Sequence, residues 1–300
     1  MSTDKFCPGL PARPFGMGLD LEVPDTVSDS ERAAYARYYE DWLGRPHAGL
    51  SFWLDHNRPG PLKRTRLVVE QISRTSFKGG LYPESIGWLV LYALSGFVEG
   101  VRYVVFSAQR RGLSEAQIFE YIATAFIWIG PRGMDTVAAA LSDYDFVEPS
   151  EPVRFPEGWA ADPDAFRSGL DFSTTTLAAG ELDSLRAWYQ ANLGEVPGYV
   201  EFLGRWRPEL LKASRNRFEH SVVELPKQVM PCAMILVGTL RGSADGLREG
   251  LLLARRWGVA RDHAIQLMCT LLEYGGTEQL SMAERKVSDV LDSWDLAQEH

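Results

Sequence analysis

Residues 234–257 read MILVGTLRGSADGLREGLLLARRW. Apolar residues recur at the i, i+3, i+4 and i+7 spacing of an amphipathic helix on both sides of Arg241-Gly242-Ser243. The spacing predicts helical structure, with GSADGLREG (242–250) between two long apolar segments. Three glycines stand four apart within 242–250, Gly242, Gly246 and Gly250. Glycine inside a helix costs about 1 kcal/mol relative to alanine, so this side has been cleared for a neighbouring helix or for a ligand.

The pattern occurs twice. SGFVEGVRYVVFSAQRRGLSEAQIFEYIATAFIWIGP (95–131) aligns with RGSADGLREGLLLARRWGVARDHAIQLMCTLLEYGGT (241–277), 146 positions further on. Upstream, RPGPLKRTRLVVEQ (58–71) aligns with RPELLKASRNRFEH (207–220) at an offset of 149, pairing Lys63 with Lys212, Arg66 with Arg215 and Glu70 with Glu219. A looser match joins ERAAYARYYEDWLG (31–44) to ELDSLRAWYQANLG (181–194). The sequence therefore reads as two copies of one unit, over 28–141 and 177–300. Between them, 142–176 is rich in Pro, Asp and Glu and reads as a linker or wrapping arm. Gly112 and Gly258 each follow a basic pair, as at a helix C-terminus, and LSEAQIFEYI opens with a Ser-x-x-Gln capping box. No run alternates with the period of a strand. The predicted fold is all-α.

Bulk composition excludes several classes. The 300 residues are 45% hydrophobic and 24% charged with a formal net charge of −9, and no long basic tract stands out. Nucleic acid and anionic membranes are therefore disfavoured as partners. Apolar runs such as VMPCAMILVGTL (229–240) are too short to span a bilayer, and MSTDKFCPGLPARPFG at the N-terminus lacks the regions of a signal peptide. Cys7, Cys232 and Cys269 form neither a C-x-x-C pair nor a zinc pattern. The expectation is a cytoplasmic protein without disulfides, metal site or cofactor motif; no phosphate-binding glycine loop or dinucleotide fingerprint occurs.

The second copy resembles the carboxymuconolactone decarboxylase and alkylhydroperoxidase D-like superfamily over LPKQVMPCAMILVGTLRGSADGLREGLLLARRWGVARDHAIQLMCTLLEYGG (225–276). The shared features are a Leu-Pro pair opening a helix and a Tyr-Gly-Gly-like close; the first copy is similar from YPESIGW (82–88) onward. The resemblance implies two tandem helical units packed as a pseudo-dimer, and a homotrimer or homodimer of the fused chain. The peroxidase branch carries C-x-x-C-x-x-x-H on the second helix. Those places hold Ser243, Gly246 and Gly250 in the second copy and Phe97, Gly100 and Val104 in the first, and the family's relay glutamate falls on Pro231. Thiol chemistry needs a thiolate and a resolving cysteine, so peroxidase activity is rejected. The decarboxylase branch uses no cysteine pair, but its His position is lost as well.

Polar residues survive in both copies. Glu99-Gly100-Val101-Arg102 matches Asp245-Gly246-Leu247-Arg248. Acid and arginine three apart share a helix face and form either an ion pair or a carboxylate-binding fork steadied by the acid. Glu219 and His220 sit together, and a histidine is a natural general acid or base as well as an ordinary structural residue. His47, Asp55 and His56 match no metal spacing, and His263 reads as an exposed residue at a helix start. Trp88, Tyr92, Tyr103, Phe106 and Trp128 are either core or the lining of an apolar pocket.

Three functions fit these residues. The first is a cofactor-independent lyase, decarboxylase or isomerase acting on a small carbonyl or carboxylic acid compound, in a specialised biosynthetic pathway. In it Glu99, Asp245, Glu219 and His220 move protons, and Arg102, Arg248, Gly246, Gly250, Ser243 and Tyr103 bind substrate. The second is a binding or scaffold protein that keeps the fold without the chemistry. The third is a redox enzyme using Cys232 or Cys269, which their apolar surroundings disfavour.

Overall fold

The computed structural model describes residues 15–43, 54, 56, 58–75, 84–149, 151–272 and 276–295. His47, Asp55, Cys7, His300 and the Tyr274-Gly275 part of the family-like close lie outside them. Among the described residues the structure is all-helical. The α-helices are α1 (Asp29–Leu43), α2 (Pro59–Thr75), α3 (Glu84–Ser95), α4 (Val98–Arg110), α5 (Glu115–Leu141), α6 (Glu181–Leu193), α7 (Gly198–Trp206), α8 (Pro208–Glu219), α9 (Val229–Arg241), α10 (Ala244–Arg256), α11 (Arg261–Thr270) and α12 (Glu278–Asp292). Single turns of 3-10 helix cover Phe15–Gly18 and Pro163–Phe166.

The boundaries follow local chemistry. Gly242 closes α9 in the left-handed conformation at φ 63°, and Ser243 caps α10 by accepting the Gly246 N–H. Ser114 and Gln117 form the predicted capping box at the start of α5. Helices of the two matching stretches begin at matching residues: Val98 and Ala244, Glu115 and Arg261, Pro59 and Pro208. One difference is instructive. Gly130, at φ 59°, kinks α5 just before Pro131, whereas its aligned residue Gly276, at φ 71°, stands between the separate helices α11 and α12.

Helix α9 forms an antiparallel hairpin with α10 as α3 does with α4, and α3 packs against α9 across the middle of the molecule. A continuous hydrophobic core runs from Leu89 in α3 to Trp294 beyond α12, and α9 lies wholly within it from Val229 to Thr239. A smaller cluster gathers Met17, Leu19, Tyr35, Tyr39, Leu54 and Leu62 near the N-terminus. Segment 151–180 runs without α-helix and is tied to the first stretch by Val153 N–H to Gly112 O and to the second by Lys227 N–H to Ala160 O. Glu120 of α5 accepts the backbone N–H groups of Val223, Glu224 and Leu225, clamping α5 to the turn after α8.

Buried charges recur at matching places. Lys63 is 1% exposed and donates to Glu31 at 2.5 Å; Lys212 is 2% exposed and donates to Glu181 at 2.9 Å. Each carboxylate also accepts two backbone N–H groups, Asp20 and Ser28 for Glu31, Asp171 and Ala178 for Glu181. Burial alone would raise the Glu31 pKa, but Lys63 and the amides outweigh it and bring it down to about 2. The i,i+4 pairs Arg66–Glu70 and Arg215–Glu219 are both formed and both buried.

Candidate functional site

The predicted site residues divide into three places. Arg102 does not turn to Glu99, three residues away; it pairs with Asp143, and Arg248 pairs with Glu195 at 3.1 Å and Asp289 at 2.8 Å. Asp143 and Asp289 are themselves 146 positions apart, so the same ion pair occurs twice. Its physical basis is reach: an arginine at the second turn of α4 or α10 meets the end of α5 or α12, where an aspartate waits. Glu99 and Asp245 are exposed on the first turns of their helices. Each arginine fork already holds protein carboxylate, and a substrate carboxylate must exchange with it.

His220 and Glu219 are adjacent in sequence but separate in surroundings. His220 is exposed at the end of α8, its Nδ1 bonded to Asn216 O at 2.8 Å and its ring edge-on to Phe172. Glu219 is buried, accepts the Ser168 N–H and hydroxyl, and binds Arg215 Nε at 2.8 Å. His263, read as exposed, is half-buried with its ring edge-on to Trp159, because the 151–180 segment crosses the start of α11.

The glycines separate by position. A Cβ on Gly250 would stand 2.9 Å from Ile235 N and from Met234 Cβ, so Gly250 lets α9 and α10 approach backbone to backbone. Gly238, across the contact, does the same against Leu247 N at 2.6 Å. Gly246 meets only Ser243 within 4 Å. In the first stretch the place over Gly100 is filled by the Phe97 and Tyr92 rings, 2.4 and 2.6 Å from where a Cβ would be. Tyr103 is half-buried on α4.

A fourth place went unread in the sequence. Glu249 on α10 accepts from the Tyr199 hydroxyl at 3.4 Å; Tyr199 and Tyr189 hydroxyls lie 2.5 Å apart; Arg215 Nη1 reaches the Tyr189 oxygen at 3.4 Å. Four helices, α10, α7, α6 and α8, thus contribute one side chain each to a continuous polar chain. Burial raises the Glu249 carboxyl to about 7, against the pull of Tyr199 and Arg215 and helped by the Glu195 charge. Burial and the Glu249 charge lift the Tyr199 phenol well above its usual range, and burial lifts that of Tyr189. The ring of Tyr199 is 40% exposed although its hydroxyl turns inward, so the chain ends close to solvent. Neighbouring Phe202 and Trp206 on the same face of α7 are exposed as well.

Glu249 was hard to single out because it directly follows the more conspicuous Arg248. The available signal was its alignment: the first stretch carries Tyr103 there, so the position changes chemistry while the four residues before it, 99–102 and 245–248, keep theirs.

No group of three or more His, Cys, Asp or Glu side chains among the described residues could hold a metal ion, and no helix among them is long and apolar enough to cross a membrane. Compared with known proteins, the chain matches no family model, no curated protein and no solved structure.

Proposed function

We propose that this chain is a fused pair of carboxymuconolactone decarboxylase-like helical units, arranged as a pseudo-dimer, in which the second unit carries an acid–base site acting on a small carbonyl or carboxylic acid compound. Matching helix starts and three ion pairs formed at matching positions support the duplication: Lys63–Glu31 with Lys212–Glu181, Arg66–Glu70 with Arg215–Glu219, and Arg102–Asp143 with Arg248–Asp289. The packing of α3 on α9, and of α5 and α11 onto the opposite stretch, supports the pairing of the units.

The observation that carries the enzymatic reading is the half-buried Glu249 at the end of the Arg215–Tyr189–Tyr199 chain. A carboxyl titrating near neutrality can give a proton to a carbanion-like carbon and recover one in the same turnover. Once Glu249 is protonated, the Tyr199 phenol can turn its one proton from that carboxyl to the developing oxyanion of an enolate. Arg248, next in sequence, can anchor a substrate carboxylate by releasing Glu195 or Asp289. The reaction class is therefore a lyase, decarboxylase or isomerase that needs no cofactor in this reading.

The test is a thermal-shift screen of the wild-type chain, Arg248→Ala and Glu249→Gln against small carboxylic acids, lactones and ketones, followed by turnover of each hit. A ligand of the native state raises the melting temperature with its occupancy. Glu249→Gln is expected to keep binding and lose on the order of 100- to 10,000-fold in kcat. Undiminished turnover by Glu249→Gln removes the acid–base assignment. Binding without turnover by the wild type favours the non-catalytic reading, which the lost Cys and His positions support.

A further inference from the structure

The polar chain runs from a guanidinium to a carboxyl, and the guanidinium end is held far from the carboxyl it leads to. Arg215 can only donate, so the Tyr189 oxygen accepts from it. The contact between the two hydroxyls admits either as donor; when Tyr189 donates to the Tyr199 oxygen, the Tyr199 proton is left for Glu249. In that arrangement every bond in the chain points from the guanidinium toward the carboxylate. Hydrogen bonds aligned head to tail polarise one another and strengthen the last in the series.

Arg215 is unusually well fixed for this. Its Nε holds Glu219 at 2.8 Å, its Nη2 holds Phe166 O at 2.5 Å, and its guanidinium carbon lies 3.8 Å from the centre of the Trp188 ring and 4.7 Å from that of Phe218. Glu219 is in turn held by Ser168 from the segment before α6. The side chain is 2% exposed and makes no hydrogen bond to Glu249.

We propose that Arg215 is a positioning residue for the Glu249 site, orienting the Tyr189 and Tyr199 hydroxyls so that Tyr199 donates to the Glu249 carboxylate and tunes its proton affinity. The proposal rests on Glu249 being the acid–base group and extends that reading to the residues that poise it. Other charges face Glu249 as well. Glu195 follows α6, Arg248 neighbours it on α10, and Asp289 of α12 holds Arg248; α9 brings no acidic or basic side chain before Arg241, which turns to the Trp128 carbonyl. The charge of Arg215 also reaches Glu249 through space. A useful test must therefore cut the chain and leave the charge in place.

Tyr189→Phe does that. The Glu249 carboxyl is followed by carbon-13 NMR of the full-length protein as pH is varied, its signal identified by loss in Glu249→Gln. Tyr199→Phe is expected to raise the midpoint by about one pH unit, the worth of one hydrogen bond to a charged group. Tyr189→Phe is expected to raise it by about 0.2–0.5, since only polarisation of that bond is lost. Arg215→Gln is expected to raise it further than Tyr189→Phe, with Arg215→Lys returning part of the change; where Arg215→Gln does not fold, Tyr189→Phe decides. A midpoint unmoved by Tyr189→Phe, with Tyr199→Phe effective, overturns the proposal and leaves Arg215 as a purely structural residue. No substrate enters this experiment, so a coupled titration without any turnover removes the enzymatic reading alone, and turnover with an uncoupled titration removes this one alone.

Discussion

The Arg66 and Arg215 neighbourhoods share their inner half and differ in their outer half. Both have a buried arginine bonded to the glutamate one turn on, and both have a tyrosine close to the guanidinium, Tyr39 and Tyr189. Among the described residues the two differ at one aligned place beyond the tyrosine. The second stretch continues through Tyr199 to Glu249; the first has Tyr103 where Glu249 stands. Over the aligned glycines the contrast runs the same way, with Tyr92 and Phe97 covering Gly100 and only Ser243 beside Gly246. The shared half is what a helical unit needs to hold its buried charges. The part that differs is where chemistry can be gained or lost without loss of the fold.

That division is broken most directly at the arginines. Removing one partner of a buried ion pair leaves the other unpaired and costs about 3–5 kcal/mol. Arg66→Ala and Arg215→Ala are both expected to lose stability on that scale in urea unfolding. A loss below about 1 kcal/mol at either one would show that the inner halves are not equivalent.

The glycines sharpen the comparison with a smaller effect. Gly100→Ala and Gly250→Ala place a methyl inside the contact distance of rings or backbone and are expected to cost about 1–3 kcal/mol. Gly246→Ala, aligned with Gly100, meets only the Ser243 side chain at 3.1 Å and is expected to fall within about 1 kcal/mol of wild type, the helix propensity of alanine offsetting the contact. Equal losses at Gly100 and Gly246 would mean that the two turns are packed alike.

Helix existence, the breaks at Gly112 and Gly258, and the i,i+4 ion pairs were all legible in the sequence, since each depends on residues within a turn or two of one another; Gly242, grouped with Gly246 and Gly250 on one helix face, instead ends α9. The partners of Arg102 and Arg248 were not. Asp143 and Asp289 lie 41 residues downstream, and only the hairpin packing of the following helices brings them back. Glu249 was hidden for the same reason: nothing near it in the chain announces Tyr199 or Tyr189. His220 illustrates the converse. Its chemistry drew attention, yet its position at a helix end puts it in solvent, bonded to its own helix.

The smallest effect concerns the carboxyl that only the second stretch has. In the folded protein Glu249 keeps its proton up to about 7, while the unfolded chain releases it near 4.5. Between those values the folded state binds more protons, so this group makes stability fall as pH rises from 4.5 to 7, with the loss complete above 7. Because the side chain is only half-buried, the loss by pH 8 is discounted to about 1 kcal/mol. Glu249→Gln removes the titrating group and is expected to raise the melting temperature at pH 8 and leave it almost unchanged at pH 4.5. Tyr103→Phe, at the aligned position, removes no carboxyl and is expected to leave the pH dependence as it was. If Glu249→Gln proves destabilising at pH 8, the carboxylate is contributing to the fold like the buried glutamates elsewhere, and the outer half of the second neighbourhood is structural too.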